Sequence, residues 1–126
     1  MPADQPHTLT PDEDSIARVW AEAFEHAEIG LAISDARSNA LLVANPAFAK
    51  RRGYRTEELV GKPLMTLFPP ELIDTVRTQI KDADTTTHKV FESEHVCRDG
   101  SRFPVLIDVT VVRDASGQPF QRIAFV

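Results

Sequence analysis

The sequence is short of cysteine and glycine, and it contains no long hydrophobic run. Cys97 is the only cysteine in 126 residues, which excludes an internal disulfide and a multi-cysteine metal site within one chain. The 5 glycines form neither a P-loop nor a dinucleotide-binding loop, and this argues against ATP, GTP or NAD as a substrate. The longest aliphatic stretch covers only residues 40–44, whereas a membrane-spanning helix needs about 20 apolar residues.

Basic residues are fewer than acidic ones, which limits the kinds of partner that the chain is expected to bind. The chain carries 14 Lys and Arg against 19 Asp and Glu, a formal net charge of −5, and this disfavours nucleic acid as a partner. Lys50, Arg51 and Arg52 form one basic cluster, which we interpret as cations that complement the negative end of a helix dipole. The N-terminus has neither the basic nor the apolar region of a signal peptide, so we expect a cytoplasmic protein with no membrane partner in this segment.

No residue pattern favours catalysis or metal binding. The sequence has no Gly-x-Ser-x-Gly motif, and Cys97 falls in the middle of a predicted strand. The four histidines, His7, His26, His88 and His95, lack the helical spacing of paired metal ligands. We interpret them as solvated or hydrogen-bonded side chains, and we predict a chain that is not an enzyme and holds no metal.

What is present is the composition of one globular domain, with 42% hydrophobic and 26% charged residues. Residues 1–9 lack periodicity and are predicted to be a disordered lead-in. Thr10 is the predicted N-cap of the first helix and Pro11 its first residue. From Ile16 to Ala27 apolar residues recur at steps of three and four, which predicts an amphipathic helix within residues 10–28.

Residues 29–126 form the predicted core of the domain. Apolar runs over residues 29–34 and 40–44 predict a β-hairpin, and Asn45 before Pro46 predicts the N-cap of a short helix. Thr56 is the predicted cap of a single helical turn. Pro69 and Pro70 introduce a longer predicted helix, which ends in the polar run of residues 82–87.

The last third of the sequence changes its period from about four to two. Residues 88–98 predict one strand, the alternating apolar residues from 103 to 111 a second, and residues 120–126 a third. Turn sequences at 99–100 and 114–117 connect them. The order of elements predicts an α+β fold with a five-stranded antiparallel sheet.

Several short motifs follow one another in a fixed order. They are residues 24–30 (Phe-Glu-His-Ala-Glu-Ile-Gly), Asp35, residues 43–48 (Val-Ala-Asn-Pro-Ala-Phe), Gly53-Tyr54, residues 57–62 (Glu-Glu-Leu-Val-Gly-Lys), Arg98-Asp99-Gly100 with Phe103, and Asp114 with Gly117. Together they resemble the PAS domain, a sensory module of bacterial signalling proteins, over about residues 20–126. The resemblance implies a PAS-like five-stranded antiparallel sheet with short helices on one face and an N-terminal amphipathic helix.

The resemblance also implies a function in signal transduction. We expect the input domain of a larger histidine kinase or diguanylate cyclase type protein, as in two-component systems, with its effector domain C-terminal to Val126. The domain is expected to sense a small molecule, or to relay a conformational change, between its helices and the sheet. The resemblance leaves the identity of any cofactor unknown.

The expected pocket lies between the helices and the last strands. Its candidate residues are Phe48, Tyr54, Leu59, Met65, Leu67, Phe68, Leu72, Ile73, Val76, Val105, Ile107 and Val109. The alternative is that these side chains simply fill the core. Photosensory flavin relatives carry a reactive cysteine after the Gly-Tyr position and haem relatives a histidine within the stretch 70–84, and this sequence has neither. We therefore predict a colourless protein with no light-driven adduct at Cys97.

Two other functions remain open at this point. The first is a ligand-free interaction module, a homodimer formed through the N-terminal helix. In that dimer the apolar stripe of Ile16, Val19, Trp20, Ala23 and Phe24 would divide between the partner chain and the sheet. The second is a non-covalent flavin redox sensor.

Overall fold

The structure is a computed structural model that describes residues 12–126. The predicted lead-in over residues 1–9 and the predicted cap at Thr10 and Pro11 lie outside these residues. The first helix, α1 (Glu13–His26), begins after Asp12, whose side chain accepts a hydrogen bond from the Ser15 amide at 2.7 Å. The helix that the structure describes therefore starts at Glu13 with Asp12 as its N-cap, because the extended backbone of Asp12 brings its carboxylate over the first turn.

Five antiparallel strands form one sheet, as predicted. They are β1 (Leu31–Asp35), β2 (Leu41–Ala44), β3 (His88–Val96), β4 (Arg102–Arg113) and β5 (Pro119–Phe125), in the spatial order β2-β1-β5-β4-β3. The last strand along the chain is therefore central in the sheet, paired with β1 on one side and β4 on the other. The predicted α+β fold is confirmed.

The chain between β2 and β3 supplies the helices on one face of the sheet. These are α2 (Pro46–Arg51), α3 (Thr56–Leu59), two 3₁₀ turns (Leu64–Leu67 and Pro70–Leu72) and α4 (Ile73–Thr86). Asn45 caps α2 as predicted, but the cap of α3 is Arg55 rather than Thr56, since the Arg55 amide donates to Glu58 Oε1 at 2.8 Å.

α4 ends within the polar run of residues 82–87, as predicted, whereas the predicted end of β3 was wrong. In this run Ala83 is buried, Asp84 is half-buried against Arg122, and the other side chains are exposed. The helix ends at Thr86, and its C-cap residue Thr87 has a φ of 76°. β3 ends at Val96, so Cys97 lies in the following turn, where its amide bonds to the Ser101 carbonyl, and not within a strand.

The core lies between the helices and the face of the sheet that they cover. Alternate residues of β4 supply Val105, Ile107, Val109 and Val111, all buried. Opposite them are buried side chains of the helical segment: Phe48, Ala49, Leu59, Leu67, Phe68, Val76, Ile80 and Ala83. Within residues 12–126, no helix has both the length and the apolar content needed to cross a bilayer.

Asn45 links the helices to the sheet and is fully buried. Its side-chain oxygen accepts from the Phe48 amide at 3.0 Å and from the Leu31 amide at 2.9 Å, and its side-chain nitrogen donates to the Ile29 carbonyl at 3.0 Å. One side chain thus fixes the start of α2 against the start of β1.

Candidate functional site

A cavity of about 40 Å³ lies between the helices and the inner face of the sheet. Every strand and three of the helical segments contribute to it. The lining is almost entirely apolar and consists of Ala32, Ser34, Leu41, Phe48, Leu64, Phe68, Ile80, Phe91, His95, Ile107, Val109, Arg122, Ala124 and Val126. Only three of these residues, Ser34, His95 and Arg122, are polar.

The structure brings four of the candidate pocket residues to this cavity, namely Phe48, Phe68, Ile107 and Val109. The others lie nearby without lining it. Leu59, Leu67, Val76 and Val105 are buried in the surrounding core, Tyr54, Met65 and Ile73 are partly buried against it, and Leu72 is half-buried at the start of α4. Ligand contact by these residues stays a prediction.

The most unusual feature of the site is a buried pair formed by Arg52 and His95. Each side chain is only 2% exposed. His95 Nδ1 accepts from Arg52 Nε at 2.9 Å and from Arg52 Nη2 at 2.8 Å, while Arg52 Nη1 donates to the Phe48 carbonyl at 3.1 Å. The guanidinium also stacks 3.7 Å from the centre of the Phe48 ring. The pair joins the end of α2 to β3.

The hydrogen bonds decide where the proton of the imidazole lies. Because Nδ1 accepts from a cation, it carries no hydrogen, and the hydrogen of the neutral ring is on Nε2. Within the part of the chain that the structure describes, His95 Nε2 is buried and has no hydrogen-bond partner. His95 lines the cavity whereas Arg52 does not, so the ring stands between the cation and the cavity.

Burial lowers the pKa values of both His95 and Arg52. Desolvation, with the charge of Arg52 second, lowers the pKa of His95 from 6.5 to about 3. Desolvation also lowers the pKa of Arg52 from its ordinary value to about 10, which leaves it a cation at neutral pH. The site therefore holds a positive charge next to a neutral imidazole.

The structure corrects the interpretation of Arg52 and selects one of the two alternatives left open for His95. Arg52 was placed with Lys50 and Arg51 in the last turn of a helix, but it is the C-cap residue of α2. Its buried side chain donates hydrogen bonds to His95 and to the Phe48 carbonyl. His95 is hydrogen-bonded, as one alternative allowed, yet it faces the core and not solvent. The signal that places it there is the strand period: Phe91 and His95 share a face of β3, and His88 lies on the other.

A second buried cation, Arg122, does line the cavity, and it is fully paired. Its Nε and Nη2 donate to the two carboxylate oxygens of Asp84 at 2.9 and 2.8 Å. Nη1 donates to Asn39 Oδ1 at 2.7 Å, and Nη2 also reaches the Ala36 carbonyl at 3.2 Å. The charge of Arg122 is therefore compensated by one carboxylate, which α4 supplies.

The remaining candidate groups lie away from the cavity. Cys97 lies outside the lining, with its sulfur 3.7 Å from the Arg51 carbonyl. His88 is exposed and pairs with Asp108 at 2.6 Å. Across residues 12–126, no three His, Cys, Asp or Glu side chains are placed to hold a metal ion together.

The architecture is shared with several solved structures. It is similar to the PAS domain of a protein from Colwellia psychrerythraea, with a TM-score of 0.81 and 16% identity over 87% of this chain and 93% of that chain. It is also similar to a domain of a sensory box sensor histidine kinase/response regulator from Geobacter sulfurreducens, with a TM-score of 0.75 and 19% identity over 92% and 96% of the two chains. A light-oxygen-voltage (LOV) protein from Rhodobacter sphaeroides matches with a TM-score of 0.74 and 18% identity over 91% of this chain and 66% of that chain.

Sequence comparison identifies the family directly. No curated protein matches the chain significantly. The sequence profile of the PAS domain, however, matches residues 28–126, which include the whole sheet, the helices that cover it and the Arg52–His95 pair. The chain belongs to the PAS domain family.

Proposed function

We propose that this PAS domain is the non-catalytic, cytoplasmic input domain of a larger signalling protein of the histidine kinase or diguanylate cyclase type. Its signal is the occupancy of the core cavity by a small molecule. The observation that carries this proposal is the buried Nε2–H of His95, a donor without a partner among the described residues, on a ring that lines the cavity. A buried donor left unpaired costs about 1 to 3 kcal/mol, so an occupant with an acceptor atom is strongly favoured.

The size of the cavity limits what it can hold. Pockets for drug-sized ligands have volumes of about 300 to 1,000 Å³, and this cavity has about 40 Å³. Flavin and haem are both planar multi-ring groups, and neither fits among these residues without a rearrangement of the core. A non-covalent flavin sensor is therefore disfavoured, and the occupant is a molecule of a few non-hydrogen atoms.

A change in the cavity has a short path out of the domain through β5. Arg122 and Ala124 of the central strand β5, and Val126 directly after it, line the cavity. The Val126 amide also donates to the Gly30 carbonyl at 2.9 Å, between the end of α1 and the start of β1. Both chain ends of the domain core thus meet beside the cavity, and a shift of β5 reaches either flanking segment.

Val109→Leu and Val111→Leu together test this function. Both residues are buried neighbours on the inner face of β4, but only Val109 lines the cavity. Each added methylene overpacks the core by a similar amount, about 1 to 3 kcal/mol. In the full-length signalling protein, Val109→Leu should change the output, whereas Val111→Leu should not when the two variants melt at similar temperatures. Equal effects of both variants on output would show that stability alone is being measured.

We further propose that the domain forms a homodimer through α1. No residue of α1 is buried within the chain, and Trp20 is 70% exposed, with Val19 and Ile16 beside it on the apolar stripe. The outer face of the sheet also exposes large apolar side chains, among them Val90, Leu106 and Phe125. Burial of a side chain such as Trp20 contributes about 2 to 3 kcal/mol, so each of these surfaces favours a partner.

Sedimentation of the intact chain tests the dimer. Val19→Ser with Trp20→Ser should weaken the association, while Glu22→Ser on the polar face should leave it unchanged. A chain that begins at Glu28 should be monomeric. A dimer that persists in the shortened chain would place the interface elsewhere.

A further inference from the structure

The buried groups around the cavity carry more positive than negative charge. Arg122 is neutralised by Asp84. Arg52 has no carboxylate partner within residues 12–126; its donors go to His95 Nδ1 and to the Phe48 carbonyl, both uncharged. The buried polar groups at the cavity therefore carry one net positive charge, and a buried unpaired charge is costly.

The imidazole of His95 lies between the charge of Arg52 and the cavity and transmits its electrostatic effect. Since its Nδ1 accepts from the guanidinium, the ring is polarised and its Nε2–H becomes a stronger donor. Lowering of the His95 pKa keeps the ring neutral. The charge therefore stays on Arg52, while the unpartnered donor is on the ring that lines the cavity. An anionic acceptor gains both a hydrogen bond and an attraction to the cation behind the ring.

The rest of the cavity lining is apolar and therefore favours a ligand whose remaining atoms are apolar. Phe68, Ile107, Val109 and Ala124 are apolar, and a cavity of about 40 Å³ accommodates about three water-sized positions. Resting on the proposed sensor function, we propose that the cavity binds a short monocarboxylate of about two to three carbons. Its carboxylate accepts from His95 Nε2, with Arg52 as the countercharge, and its methyl or ethyl group packs among the apolar side chains.

Thermal unfolding of the intact chain at neutral pH tests the ligand class. Sodium acetate and sodium propionate replace sodium chloride at constant ionic strength, with acetamide as the neutral isostere and hexanoate as the oversized acid. Acetate and propionate should raise the melting temperature saturably, because they bind only the folded state. Acetamide, chloride and hexanoate should not.

Three variants separate the cavity from the surface. Arg52→Gln keeps a donor for His95 Nδ1 without the charge, and it should weaken the apparent affinity about tenfold or more. Ala124→Leu fills the cavity, leaves the pair intact and should abolish the response. Arg51→Gln removes an exposed cation next in sequence and should leave the response unchanged.

The outcomes are decisive in each direction. If acetamide stabilises as well as acetate, the occupant is a neutral molecule, and if acetate stabilises no more than chloride, the cavity does not select a carboxylate; either result overturns the proposal. A response that survives in Ala124→Leu, or disappears in Arg51→Gln, assigns the anion to the surface and also overturns it. If Arg52→Gln does not fold, Ala124→Leu alone decides. An output change in Val109→Leu without any acetate response would keep the sensor function and reject the carboxylate.

Discussion

Acidification should destabilise this chain through one residue, His95, and His95→Gln should remove most of that loss. The folded chain keeps the imidazole neutral because its pKa is about 3, while in the unfolded chain the ring takes up a proton below its ordinary pKa of 6.5. Between these two values the unfolded state binds more protons. The stability that the neutral ring contributes is therefore fully present above about pH 6.5 and is lost as the pH falls towards 3.

The size of the loss follows from the two pKa values. Each pH unit below 6.5 costs about 1.36 kcal/mol, so the free energy of unfolding should be about 2 kcal/mol smaller at about pH 5 than at about pH 7. The carboxyl groups with perturbed pKa values, such as Glu58 and Asp114, are all shifted downwards from 4.5 or 3.8. They lose their native contacts only at lower pH, so they contribute little in this window.

Urea unfolding at several pH values between about 5 and 7 provides the assay. The side chain of Gln is close in size to that of His, and its oxygen can accept from Arg52 in place of Nδ1, so His95→Gln should fold with a flatter pH profile. His88→Gln, an exposed histidine on the same strand, should retain the wild-type contribution of His95. Equal slopes for the wild type and His95→Gln would refute the reasoning.

Three further substitutions test the packing around the site by urea unfolding. Arg52→Lys should lower the free energy of unfolding by about 2 to 4 kcal/mol, because an ammonium cannot bond both the imidazole and the carbonyl from one plane. Arg77→Lys, at an exposed position of α4, should change it by less than about 0.5 kcal/mol. Asn45→Ala should cost about 3 kcal/mol, since three buried hydrogen bonds are lost at about 1 kcal/mol each, and a loss below about 1 kcal/mol would contradict its role as a link. Gly30→Ala should cost about 1 to 3 kcal/mol, because the new Cβ would lie 3.3 Å from the Val126 carbonyl oxygen; an unchanged free energy of unfolding would show that the neighbouring atoms move to accommodate it.

The fold could be predicted because its signals are local. Asn45 before Pro46 specifies the start of α2 through a side-chain bond three residues away, and alternation along β4 specifies which face is buried. Turn glycines such as Gly100, with a φ of 88°, separate the strands. Where a second local cap was available, as with Arg55 and Glu58 at α3, the boundary moved by one residue.

The site could be predicted only in part because its polar contacts join distant segments. Arg52 and His95 are 43 residues apart, and Asp84 and Arg122 are 38 apart. Nothing in the neighbouring sequence of Arg52 distinguishes it from the exposed Arg51. Phe48, Phe68, Ile107 and Val109 were found because apolar residues on inward faces meet in the core whatever their partners. The pairing of buried polar groups becomes visible only once the strand order is known.

The amide spectrum of the uniformly ¹⁵N-labelled chain, recorded with and without saturating sodium acetate, tests most directly whether an acceptor at His95 changes β5. The account predicts that acetate moves the resonances of Ala124 and Val126 together with that of the His95 Nε2–H, and that acetamide does not. Shifts confined to the exposed basic residues Lys50 and Arg51, with β5 unchanged, would contradict it.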